Sequence, residues 1–110
     1  MVATELTVHP IVRTGKVLAA AAANADGNFF HNDGHTFLYV KNAHTSGWVL
    51  TFDTPGSVDG LAVAQRTVTV VNATEVLIGP FPANVYNDAN ARVQVTYDGV
   101  TTLTVEALRL

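Results

Sequence analysis

The hydrophobic and polar positions of this chain alternate over much of its length. Val68 and Val70 are interleaved with Thr67 and Thr69, Val93, Val95 and Tyr97 with Arg92, Gln94 and Thr96, and Leu103 and Val105 with Thr102, Thr104 and Glu106. A period of two puts the apolar set on one face of a strand and the polar set on the other. Trp48, Leu50 and Phe52 mark another one-sided strand. Phe37, Leu38, Tyr39 and Val40 are apolar without interruption and predict a central strand covered on both faces. Turn-forming clusters separate the runs: NAHTSG at 42–47, TPGSVDG at 54–60, NAT at 72–74, GPFP at 79–82, NDAN at 87–90 and DG at 98–99. Short strands with turn signals every ~8–12 residues are the pattern of a sandwich or barrel. No long amphipathic helix of the kind a parallel sheet requires is present. The expectation is therefore an all-β, single-domain antiparallel β-sandwich of seven or eight strands. Residues 15–24, dominated by alanine, are the one stretch that could be helical, with a small-residue strand or loop as the alternative.

Length agrees with one domain, since 110 residues lie within the usual ~100–150. A chain of this size buries roughly two-thirds of its unfolded surface and needs no disulfide or metal staple. It has no cysteine, which removes disulfide scaffolds, Cys-rich zinc modules and thiol nucleophiles. Charge changes the picture more. Charged residues make up 14% of the chain, against a typical ~25%, while hydrophobic residues make up 48%. A surface so poor in charge favours an assembled subunit, in which neutral side chains are covered by partners. Net charge is −3 and the six basic residues are scattered singly, so no footprint for nucleic acid is expected. The first five residues carry no secretory pattern and the longest apolar block, 17–23, is seven residues, far below the ~20 of a membrane helix. A soluble chain made in the cytoplasm, with no membrane partner, is expected.

Candidate chemistry is sparse. His31, Asp33 and His35 surround Asn32 and Gly34, and two histidines four apart clamp zinc only on a helix, which this turn-forming sequence discourages. A loop bringing the three together around an ion, joined by His9 or His44, is the alternative to a plain turn. NADGN at 24–28 echoes part of a calcium loop but lacks its closing glutamate. Ser46 and Ser57 lie in no nucleophile elbow, and Asp53 and Asp59 flank prolines and glycines that make turns. Asn72 heads a glycosylation sequon that reads as a turn between strands. No catalytic, cofactor or metal residues are expected, and an enzyme is not.

Four spaced blocks carry a resemblance: TFLYVKN at 36–42, TPGSVDGLAVAQRT at 54–67, IGPFP at 78–82 with YND at 86–88, and LTVEALRL at 103–110. From Thr36 onward the chain resembles a family of small virion structural proteins encoded by tailed bacteriophages. The resemblance implies a β-sandwich, often jelly-roll-like, that sits on the outside of the capsid as a decoration or cement protein, commonly as a trimer. It implies the major capsid protein as partner and the virion as location. Another virion position, such as a head–tail connector or tail component, is the nearest alternative. A carbohydrate-binding sandwich is the other, and would need Trp48, Tyr39 and Tyr86 exposed as a stacking platform.

Two segments are expected to make assembly contacts. Ile78, Pro80, Phe81 and Pro82 form an apolar loop stiffened by two prolines, which loses little entropy on docking. Residues 1–10, with Thr4, Leu6 and Val8 as contact positions, are expected either as an extended arm that adds a strand to a neighbour or as an ordinary first strand, since Pro10 interrupts the pattern.

Overall fold

The computed structural model describes residues 3–110, and the side chain of Val58 is not described. Met1 and Val2, the first two residues of the expected arm, lie outside the described residues. The described chain forms β1 (Thr4–Glu5), β2 (Val8–Pro10), β3 (Ala21–Ala22), β4 (Asn28–His31), β5 (Thr36–Asn42), β6 (Trp48–Phe52), β7 (Ser57–Val58), β8 (Leu61–Ala62), β9 (Arg66–Val70), β10 (Thr74–Ile78), α1 (Ala83–Tyr86), β11 (Arg92–Tyr97) and β12 (Leu103–Arg109). Two sheets pack face to face. The first has the order β1-β4-β11-β6-β9 and the second β10-β5-β12-β2, with β3 also paired to β12. The chain is an all-β sandwich, as the alternation predicts.

Two features differ from the expectation. Twelve strands replace seven or eight, because five of them span only two or three residues, too short to show a period. The sheets are also mixed: β1 runs parallel to β4 and β2 parallel to β12, while the other pairings are antiparallel. Both parallel pairs belong to the N-terminal segment, which leaves by a long crossing instead of a hairpin, the connection that parallel pairing needs.

The core forms between the inward rows. Leu38 and Val40 of β5 and Val105 of β12 face Phe30, Leu50, Phe52 and Val93 of the first sheet, all fully buried. Val68, half-buried, and Val70, buried, share the inner face of β9, and Val95 has 1% of its surface exposed. The uninterrupted run in β5 has its predicted explanation: β5 lies between β10 and β12, and its outward Tyr39 is buried.

Residues 11–20 cover that outer face as an irregular strap. The Nζ of Lys16 lies 3.2 Å from Glu106 Oε2, and the Ala19 N–H donates to Glu106 Oε1 at 2.8 Å. Glu106 is 3% exposed, so its charge is tolerated only with these partners. The alanine run that follows is not a helix. Ala21 and Ala22 pair with Val105 and Thr104 along the edge of β12, and tertiary pairing outweighs intrinsic helix propensity.

Three buried asparagines join segments that are distant in sequence. Asn42 at the end of β5 donates to Val70 O of the opposite sheet at 2.9 Å and accepts the His44 N–H at 2.9 Å. Asn28 donates to Thr4 O and accepts the Tyr97 hydroxyl at 2.7 Å, tying β1 to the first sheet. Asn32 donates to Phe81 O at 2.9 Å and Asn87 Oδ1 at 2.7 Å, fastening the loop before α1.

Candidate functional site

The histidine stretch is a bend feeding β5. Gly34 has φ of +92°, and Asn32 Oδ1 accepts its N–H at 3.0 Å. Asp33 spends one oxygen on the His35 N–H at 3.0 Å and the other on Arg109 at 3.3 Å. The His35 N–H, followed by the Arg109 charge, holds the Asp33 carboxyl below its ordinary range. His31 and His35 both point to solvent. Among the described residues no three His, Cys, Asp or Glu side chains gather as a metal site. The 24–28 stretch is another turn: Asn24 Oδ1 accepts the Asp26 N–H at 2.9 Å, and Asn24 Nδ2 donates to Thr4 Oγ1. Asp59 and Gly60 have φ of 55° and 77°, as the two-residue turn of the β7–β8 hairpin demands.

The aromatic residues do not assemble a platform. Tyr39 is buried with its hydroxyl donating to Glu75, which raises its pKa. Trp48 is half-buried over Gly99, beside the His44 ring at 5.0 Å, and its indole N–H donates to Thr101 O at 3.1 Å. Tyr86 packs edge-on against Phe81 at 5.2 Å. Stacking on sugar needs ring faces side by side and exposed.

The expected contact residues divide. Pro80 and Pro82 are exposed and Ile78 is half-buried. Phe81 is 3% exposed, inside a cluster with Phe30 at 5.7 Å and Phe52 at 5.1 Å, so its ring belongs to the core and not to a projecting loop. Leu6 is likewise buried, at 8%, and Thr4 lies in β1, which pairs with β4 of the same chain. Val8 pairs with Ala107. Residues 4–10 are thus laid down as strands of this sandwich, β1 in one sheet and β2 in the other, with Leu6 inserted between them.

A hollow of about 630 Å³ lies on the outer face of the second sheet, between the strap and β10. Phe37, Tyr39 and Leu108 contribute from the sheet, Leu77 and Glu75 from β10, and Ile11, Val12 and Leu18 from the strap. Leu77 is 64% exposed, Leu18 50% and Val12 47%. Lys16 pairs with Glu106, while Glu75 accepts from the neutral Tyr39 hydroxyl and keeps its negative charge. The result is an exposed apolar area with one uncompensated acid at its border. Sequence reasoning passed over it because its residues come from four segments, the strap, β5, β10 and β12, which only the fold brings together. The one available signal was Glu106, an acid on the strand face shared with Leu108.

In comparisons with protein-family models, curated proteins and solved structures, none matches this chain.

Proposed function

We propose that the chain is a non-enzymatic structural protein of a phage virion, a decoration protein that seats on the outer surface of the assembled head and stabilises it. The observation that carries this reading is the apolar area around the hollow, where Leu77, Leu18, Val12 and Ile11 are each 42% exposed or more. Such a patch on a folded domain marks a surface that another protein covers. Two further points support the reading. The chain is poor in charge, and the blocks from Thr36 onward resemble small phage virion proteins. The partner is the major capsid protein, and the chain itself acts as a homo-oligomer, a trimer.

A cement protein works by mass action: it binds the assembled lattice and not the free subunit, so the lattice gains resistance to heat. The test is to mix the purified chain with heads of the encoding phage and with free shell subunits, then sediment. Saturable binding to heads alone, with DNA released at a higher temperature, is expected. Absence of binding to heads would sink the reading.

A further inference from the structure

β9 and β10 are joined by residues 71–73 alone, yet they belong to different sheets, β9 paired to β6 and β10 to β5. Each is five residues long and, among the described residues, has its other edge unpaired. The remaining edges are blunted. β1 and β3 have two residues each, and β2 ends at Pro10. β9, by contrast, reads Arg-Thr-Val-Thr-Val, with high strand propensity, no proline and a single charge at its start.

The gap beside β9 is open. A cleft of about 510 Å³ lies between Val68 of β9 and Ile78 of β10, floored by Phe81 and Tyr86. A smaller hollow of about 370 Å³ adjoins it and shares Val63, Arg66 and Tyr86. Arg66 is the one charged residue lining either. Among the described residues the ion pairs are Lys16–Glu106 and Arg109–Asp33, and Arg66 is in neither. Asp53, next to the strand partner of Arg66, is engaged by the Gln65 amide at 3.2 Å.

An unpaired strand edge, an apolar cleft and one unpartnered guanidinium are the three elements needed to hold an extended peptide that carries a carboxylate. The edge supplies main-chain hydrogen bonds, the cleft an apolar side-chain pocket, and the guanidinium a charge-assisted pair. We propose that an extended segment of a partner protein adds to the free edge of β9, placing an apolar side chain between Val68 and Ile78 and, two residues along and so on the same face, an Asp or Glu on Arg66. β10 is not the acceptor edge, because Glu75, its second residue, repels the same carboxylate. The proposal deepens the decoration reading and rests on it for the source of the segment, the shell subunit.

The test uses the full chain and acetylated, amidated pentapeptides Glu-Thr-X-Thr-Glu, with X as Val, Leu or Phe, so that X and an acid share a face in either strand direction, beside versions with Gln in place of Glu. Saturable binding is expected for at least one Glu peptide, with amide chemical-shift changes confined to residues 63–70 and 78–86. Changing Glu to Gln, or Arg66→Ala in the protein, should each weaken binding about ten-fold, and Arg66→Lys less. Failure of all three Glu peptides, equal affinity for Glu and Gln, or indifference to Arg66→Ala would overturn the proposal. A dimer that forms without peptide and disappears with Arg66→Ala would give the cleft to a second copy, and would overturn it too. Peptide binding by a chain that ignores phage heads removes only the decoration reading. Heads bound equally by wild type and Arg66→Ala remove only this one.

Discussion

Val95 and Thr96 are neighbours on β11 and face opposite media. Val95 is 1% exposed between Asn28 of β4 and Phe52 of β6, while Thr96 is open to solvent. Val95→Asp buries an unpaired carboxylate and should cost several kcal/mol, enough to unfold a marginal domain, whereas Thr96→Asp should stay within about 0.5 kcal/mol. Equal melting temperatures would mean the register is shifted by one residue. Gln94 is no neutral control on the same strand, because its amide donates to Asp88 Oδ2 at 2.9 Å. That contact belongs to a second residue-scale device. Burial pushes the Asp88 carboxyl up, but bonds from Gln94 and from the Asn90 and Arg92 N–H groups outweigh it, so its pKa falls below the ordinary 3.8. A carboxyl lowered on folding adds stability above its unfolded pKa and loses it as pH drops through the folded value. Asp88→Asn should therefore cost about 1 kcal/mol at neutral pH, and its melting temperature should fall less than that of wild type between pH 5 and 3, as thermal scans would show. Parallel acid limbs for both chains would put the acid sensitivity elsewhere, Asp33 being the next carboxyl held low. Single residues such as Val95 were legible because period two fixes their side. Asn28, Asn32 and Asn42 were legible only as turn formers, since the partners of their amides, Thr4, Phe81 and Val70, lie 24, 49 and 28 residues away.

At the scale of elements, most of the longer strands were readable and the two- and three-residue strands were not. β5, β6, β9, β11 and β12 each span five residues or more and show their faces in sequence, either by alternation or as a doubly covered run. α1 is a single turn after Pro82, too short to carry a 3.6-residue period. The N-terminal segment had two readings, arm or first strand, and local pattern could not choose between them. Its place is decided by what it meets, an open edge of β4 and another of β12, with Leu6 capping the core between. Leu6→Ala should cost about 2–4 kcal/mol, whereas Thr7→Ala, at an exposed position, should be nearly silent. A chain starting at Val8 loses β1 and Leu6 together and should melt far lower or not cooperatively. If it melted like the full chain, residues 4–7 would contribute nothing to the sandwich, and the arm reading would return. Gly56 fixes the element nearest the peptide cleft. A Cβ there would lie 2.2 Å from Asn84 O of α1, so the 53–56 loop and α1 touch through a position that only glycine fits.

At the scale of the whole molecule, low charge and an exposed apolar face point the same way, and the two can be tested together. Leu77 and Leu18 flank the hollow from opposite sides, β10 and the strap, and expose 64% and 50% of their surfaces. Little of their burial energy is realised within this chain, so removing it costs the fold little and costs a partner much. The double change Leu77→Gln with Leu18→Gln keeps side-chain length and adds no charge, leaving the Lys16–Glu106 pair and Glu75 in an unchanged field. Its melting temperature should match wild type to within a few degrees, and light scattering at micromolar concentration should give the same mass as wild type. On the proposed decoration role, its affinity for phage heads should fall by ten-fold or more, since losing a central apolar contact typically costs more than about 1 kcal/mol. A variant that binds and heat-stabilises heads like wild type would show that the apolar face is not the seat. One whose oligomer falls apart would assign that face to contacts between copies of the chain, leaving the head to be reached through the β9 edge.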